Sequence, residues 1–256
     1  MAKTLQDIRL QLQRGEVTSE QLVEEALASV SSSEGQGDKT FIKVYNDKAM
    51  VQAKAIDQVR KSGVELHPLA GIPISIKDLF DVAGEITLSG SIVRRKSVPA
   101  KSDAHIVSKL RAAGAILIGR TNMTEFAFSG LGINPHYGTP LNPWDRKTGR
   151  IPGGSSSGAA ISVTDNMAAA AIGTDTGGSV RIPSALCGLT GFKPTAARVS
   201  KEGAFPLSTT LDSIGPLANS VSCCSILDQT MRGAAVNTLL DIPVDGLTLA
   251  IPQTIV

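Results

Sequence analysis

The chain has 256 residues, 42% hydrophobic and 19% charged, with a formal net charge of +2, an ordinary soluble globular profile with ample apolar residues for a core. Nearly balanced, scattered charge gives no argument for nucleic acid or an anionic membrane as partner, and no apolar run approaches the ~20 residues of a membrane span. The opening Met-Ala-Lys-Thr-Leu-Gln-Asp-Ile has no apolar signal region, so a cytoplasmic location is expected.

In chain order, Leu5, Ile8, Leu10 and Leu12 mark a first helix that breaks at Gly15. Thr18 caps a second, with Gln21 at the capping-box position and Leu22, Ala26 and Val30 as an apolar stripe. Residues 31–38, Ser-Ser-Ser-Glu-Gly-Gln-Gly-Asp, read as a flexible loop. A short strand is expected at 41–44 and a charged, Ala-rich helix over about 47–62. Residues 69–78, Leu-Ala-Gly-Ile-Pro-Ile-Ser-Ile-Lys-Asp, read as a buried strand that ends on Lys77. Residues 103–113 read as a helix stopped by Gly114, and 115–118 as a short core strand. Helix followed by apolar strand is the rhythm of an α/β domain with a central sheet. Residues 129–198 are dominated by Gly, Ser and Thr around an apolar, helix-like stretch at 159–171, and their pattern is too ordered for a linker. Residues 246–252, Gly-Leu-Thr-Leu-Ala-Ile-Pro, read as a core strand just opening, so the chain is expected to be a fragment. The expected organisation is one domain: N-terminal helices over 1–65, a catalytic core over 66–220, and over 221–256 the start of a missing C-terminal portion. Cys187, Cys223 and Cys224 are odd in number and lack metal spacing, which points to reduced thiols.

Three pieces carry chemistry: Lys77, the run Gly153-Gly154-Ser155-Ser156-Ser157-Gly158, and the run Gly173-Thr174-Asp175-Thr176-Gly177-Gly178-Ser179-Val180-Arg181. The glycines before Ser179 allow a tight turn that aims several backbone N–H groups at one point, as an oxyanion hole requires. A serine hydroxyl needs a base. Of the three histidines, His67 and His105 lie in polar surroundings, while the spacing of His136 leaves a Ser-His-Asp arrangement open. Lys77 is the better candidate, because a lysine desolvated at the end of a buried strand loses its proton more readily, and Ser155 can relay between it and Ser179. Each piece also has a bland reading. The serine run is compatible with a flexible loop, the Ser179 run with a phosphate-binding nest that lacks the P-loop pattern, and Lys77 with a solvated strand end.

Together these residues resemble the amidase signature family. The central Gly/Ser-rich motif runs from Gly153 to Ser179 and on through Arg181, Pro183, Cys187, Gly188 and Gly191-Phe192-Lys193-Pro194-Thr195. The lysine motif is matched by residues 71–78, and further segments by 121–126, 138–145 and 211–216. The resemblance implies an α/β fold with a mixed central sheet covered by helices on both faces. It implies Lys77 as the catalytic lysine, Ser155 as the bridging serine after a cis peptide bond, and Ser179 as the acylated nucleophile. Ser155 and Ser179 stand 24 residues apart, a separation the family shares. The N–H groups around Thr176, Gly177, Gly178 and Ser179 match the oxyanion hole. Asp175 and Arg181 are read as a structural pair that holds the loop. The implied reaction is attack of Ser179 on a small-molecule amide, loss of ammonia or an amine through Ser155, and hydrolysis of the acyl-enzyme, with no metal or organic cofactor.

Two rivals stand beside this reading. One is the glutamine-hydrolysing component of a tRNA-dependent amidotransferase, whose serine loop usually reads Gly-Gly-Ser-Ser-Gly-Gly, a pattern from which Ser157 departs. The residues after Glu125-Phe126 also look more like stand-alone amidases. The other is an inactive fragment that needs a second chain, since family members usually continue well past this length. A homodimer or a completing chain is accordingly a candidate partner.

Overall fold

The computed structural model describes residues 3–237, 239, 243–248 and 250. The first two helices start on reciprocal side-chain caps. Thr4 and Asp7 close α1 (Leu5–Gln13), and Thr18 and Gln21 close α2 (Ser19–Ser31), each satisfying N–H groups the helix leaves without partners. Leu5, Ile8 and Leu12 are buried, but Leu10 is 40% exposed and lies off the apolar face of α1. The expected loop at 31–38 closes with a single turn, α3 (Gly37–Thr40). Next come β1 (Phe41–Val44), α4 (Asn46–Lys61), β2 (Pro73–Lys77), α5 (His105–Ala112) and β3 (Ile116–Thr121).

The stretch 159–171, expected to be helix-like, is divided. α6 (Ser157–Thr164) ends at Asp165-Asn166, where Asn166 takes a left-handed φ of 56°, and the chain returns as β4 (Ala170–Asp175). Every residue of β4 and nearly every residue of α6 is buried, so neither carries a period that separates helix from strand. After α7 (Arg181–Leu186) and the two-residue β5 (Thr190–Gly191), β6 (Ser213–Ala218) and α8 (Val221–Arg232) complete the described elements. Cys223, Leu227 and Met231 of α8 join the same core as Ile74 and Ile76, so that core continues past residue 220. The strand expected over 246–252 lies in part outside the described residues, and those described form none.

The six strands form one mixed sheet in the order β1-β3-β2-β4-β6-β5. β3, β2 and β4 run parallel, while β1, β6 and β5 pair antiparallel. Side chains alternate between its faces. Ile74, Ile76, Ala170, Ile172 and Ile214 pack with α1, α5 and α8. Ile116 and Ile118 pack with α2 and α4, and Ala171 and Leu217 with α6. Helices thus cover both faces. No helix among the described residues is long and apolar enough to cross a membrane. Because β2 and β4 are parallel, Lys77 and Asp175 both finish at the same sheet edge, where the chain leaves the strands and loops gather.

Candidate active site

Lys77 is the last residue of β2 and is fully buried. Its Nζ donates to the Ser155 hydroxyl at 2.7 Å and to the Thr174 hydroxyl at 3.0 Å. Burial pushes its pKa down to about 7, although Asp175 and Asp212 pull it upward. A lysine so placed divides its time between ammonium and free amine near neutrality, and the amine can accept a proton.

Ser155 follows a cis peptide bond from Gly154. The chain there is hemmed in: a Cβ on Gly154 would lie 2.5 Å from the Gly132 nitrogen, so only glycine fits. The Ser155 carbonyl accepts the Thr124 N–H at 3.1 Å, and the Ser156 N–H donates to the Ser179 carbonyl at 3.3 Å, which lays the two serine loops side by side.

Ser179 sits in the turn between β4 and α7 and is 7% exposed. The turn is wound around the Asp175 carboxylate. That carboxylate accepts the N–H groups of Gly178 (2.8 Å), Val180 (3.1 Å) and Arg181 (3.2 Å), and the Arg181 guanidinium bidentately at 3.0 and 2.9 Å. Burial works to raise the Asp175 pKa, but Arg181 and the backbone donors outweigh it and hold the carboxyl below its ordinary value. Gly178 has φ 135°, and a Cβ there would lie 2.7 Å from Ile182 Cδ1, so the turn requires glycine.

The oxyanion expectation needs one correction. The Gly178 N–H is already bonded to Asp175 and is not available to a substrate oxygen. The N–H groups of Thr176, Gly177 and Ser179 donate to no described residue. The structure joins Lys77 to Ser155 but does not join the hydroxyls of Ser155 and Ser179. None of the three histidines hydrogen-bonds Ser179: His136 lies 3.3 Å from Glu125, His105 faces the Met231 carbonyl, and His67 accepts the Leu69 N–H. Cys187, Cys223 and Cys224 are buried and free, and burial raises the Cys187 and Cys224 thiols to about 12.

Sequence reasoning missed Thr174, Thr124 and Asp212. Strand alternation offered a signal for Thr174, which lies two residues from Thr176 on the same side of an extended chain. Thr124 and Asp212 carry no local signal, because their partners are distant in sequence. Asp212 accepts the Thr176 hydroxyl at 2.5 Å. Thr124 borders an apolar cleft of about 500 Å³ whose wall includes Phe126, Phe128, Ile133, Pro206 and Leu207. A base, a second hydroxyl touching it, a serine on an N–H-rich turn and an adjoining cleft form a set chemically suited to acyl transfer.

Comparison with known proteins agrees in kind. The sequence profile named Amidase matches residues 21–243. AtzE of Pseudomonas sp. (strain ADP), a component of 1-carboxybiuret hydrolase, is 41% identical, covering 86% of this chain and 47% of the relative. The glutamyl-tRNA(Gln) amidotransferase component GatA-type polypeptide of Chromohalobacter salexigens is 39% identical, covering 98% of this chain and 53% of the relative. A crystal structure of an amidase superposes with a TM-score of 0.84 at 37% identity, covering 92% of this chain and 53% of that one. The chain spans about half the length of the curated relatives it matches.

Proposed function

The chain belongs to the amidase family, and from that premise we propose that it carries the proton relay and nucleophile of an enzyme cleaving amide C–N bonds through an acyl-enzyme on Ser179. The observation that carries this is the fully buried Lys77 ammonium nitrogen, 2.7 Å from Ser155 and bonded otherwise only to Thr174 among the described residues. In the free-base form Lys77 accepts the Ser155 proton, and Ser155 in turn accepts that of Ser179 once substrate brings the two hydroxyls together. Ser179 attacks the amide carbonyl, and the developing oxyanion takes the N–H groups of Thr176, Gly177 and Ser179 in place of that of Gly178. The proton returns through Ser155 to the leaving nitrogen. Water then retraces the path to release a carboxylic acid. The acyl or amine side group occupies the apolar cleft beside Thr124. Asp175 and Arg181 hold the turn and take no proton. The proposed machinery lies within residues 66–220.

A second reading, glutamine hydrolysis within a tRNA-dependent amidotransferase, is supported by the Chromohalobacter salexigens relative. Both curated relatives are named as parts of larger enzymes, which supports a partner chain for either reading. The test is a panel of aliphatic, aryl, urea-like and peptide amides, with glutamine included and ammonia detected. It is run with wild type, Ser179→Ala and Lys77→Ala. Hydrolysis lost in both folded variants supports the proposal, and glutamine as the sole substrate selects the second reading. Turnover that survives Ser179→Ala refutes both.

A further inference from the structure

Asp212 has no part in the proton path above, yet three parts of the site converge on it. It lies in the segment before β6, is 8% exposed, and accepts the Thr176 hydroxyl from the Ser179 turn at 2.5 Å. Its carboxylate also accepts the N–H groups of Leu207 at 2.9 Å and Ser208 at 3.0 Å. Leu207 walls the apolar cleft. On its other side Asp212 lines a cavity of about 160 Å³ together with Thr174, Lys201 and Phe205. Thr174 is the residue that bonds Lys77 Nζ. Thr174 and Thr176 leave the extended chain on the same side, one holding the lysine and the other the aspartate.

We propose that Asp212 is a positioning residue for the acyl transfer: it fixes the turn that supplies the oxyanion donors, and it presents a negative charge to Lys77 across the cavity. The inference rests on the function proposed above. The other charges around Lys77 are already matched. Asp175 on β4 is bridged by Arg181, Asp78 after β2 is paired with Arg120 on β3, and Lys201 donates to the Thr209 carbonyl. α6, packed over this part of the sheet, has no charged residue. Asp212 carries no such ion pair among the described residues. Its charge favours the ammonium form and opposes the dominant effect of burial on Lys77, so the base is kept strong enough to take a proton from a hydroxyl.

The probe is a fluorophosphonate, whose second-order rate of serine labelling is measured against pH on the full chain. For Asp212→Asn, which keeps an oxygen acceptor for Thr176, the acid limb of the profile should move about one pH unit lower. For Thr176→Val, which unties the turn but leaves the charge, the plateau rate should fall roughly tenfold with the limb in place. An unmoved limb in Asp212→Asn, or an unchanged plateau in Thr176→Val, overturns the inference, and the second variant decides should the first not fold. Wild type that takes no label at any pH fails earlier, at the function itself, so the two failures are distinct.

Discussion

Replacing Lys77 by Met removes the one buried amine of the site while keeping most of its shape, and the consequence for stability depends on pH in a calculable way. An unfolded lysine titrates near 10.5, whereas burial brings Lys77 to about 7 in the folded chain. Between those values the unfolded state holds a proton that the folded state has released, so folding becomes more favourable as pH rises. Below about 7 both states are protonated and the burden of burying the ammonium is fully present. The whole span corresponds to about 5 kcal/mol at 1.36 kcal/mol per unit. From pH 7.5 to 9.5 the stability of wild type relative to Lys77→Met should rise by about 2 to 3 kcal/mol. Other titrating groups cancel in that difference. Urea unfolding followed by far-UV circular dichroism measures it, since the single Trp144 is 85% exposed and reports poorly on the core. A difference that stays flat across this range would refute the argument, for it would mean that the folded chain keeps Lys77 charged.

The same titration predicts that labelling of Ser179 by a fluorophosphonate rises about tenfold per pH unit below 7 and levels above it; a flat profile contradicts a lysine base. Ser155→Ala should lower the labelling rate by a factor of 100 or more, on the order of a lost proton relay, with an unchanged circular-dichroism spectrum; a rate within threefold of wild type removes Ser155 from the path. Asp175→Asn takes the ionised acceptor from three backbone donors and leaves Arg181 without its bidentate partner, so a loss of about 3 kcal/mol is expected in urea unfolding. Gly178→Ala forces a Cβ onto Ile182 at a φ that L-residues avoid and should cost about 1 to 3 kcal/mol, read from the same unfolding midpoint.

Much of the architecture was legible because the sequence states it locally. The caps at Thr4 and Thr18, the strand at 41–44 and the apolar run ending on Lys77 each have a pattern within a few residues. The mixed sheet with helices on both faces followed from the family resemblance, and the fold has that form. The division of 159–171 was not legible, because a helix and a strand both buried on every side lose their periods. The site divides in the same way. Lys77, Ser155 and Ser179 stood out through flanking glycines and strand position, yet Lys77 and Ser155 are 78 residues apart, and their 2.7 Å contact is a property of the folded sheet edge. The engagement of the Gly178 N–H by Asp175 was hidden, because which amides a turn leaves free depends on its detailed winding. Asp212 was hidden because it reaches Thr176 from 36 residues away.

The central claim is that Ser179 is the nucleophile and Lys77 its base. Peptide mapping by mass spectrometry after fluorophosphonate treatment at pH 8 tests it most directly. The account predicts a single adduct on Ser179 in wild type, and none in Lys77→Met under the same conditions. An adduct on any other residue, or equal labelling of Ser179 with Lys77 replaced, would contradict it.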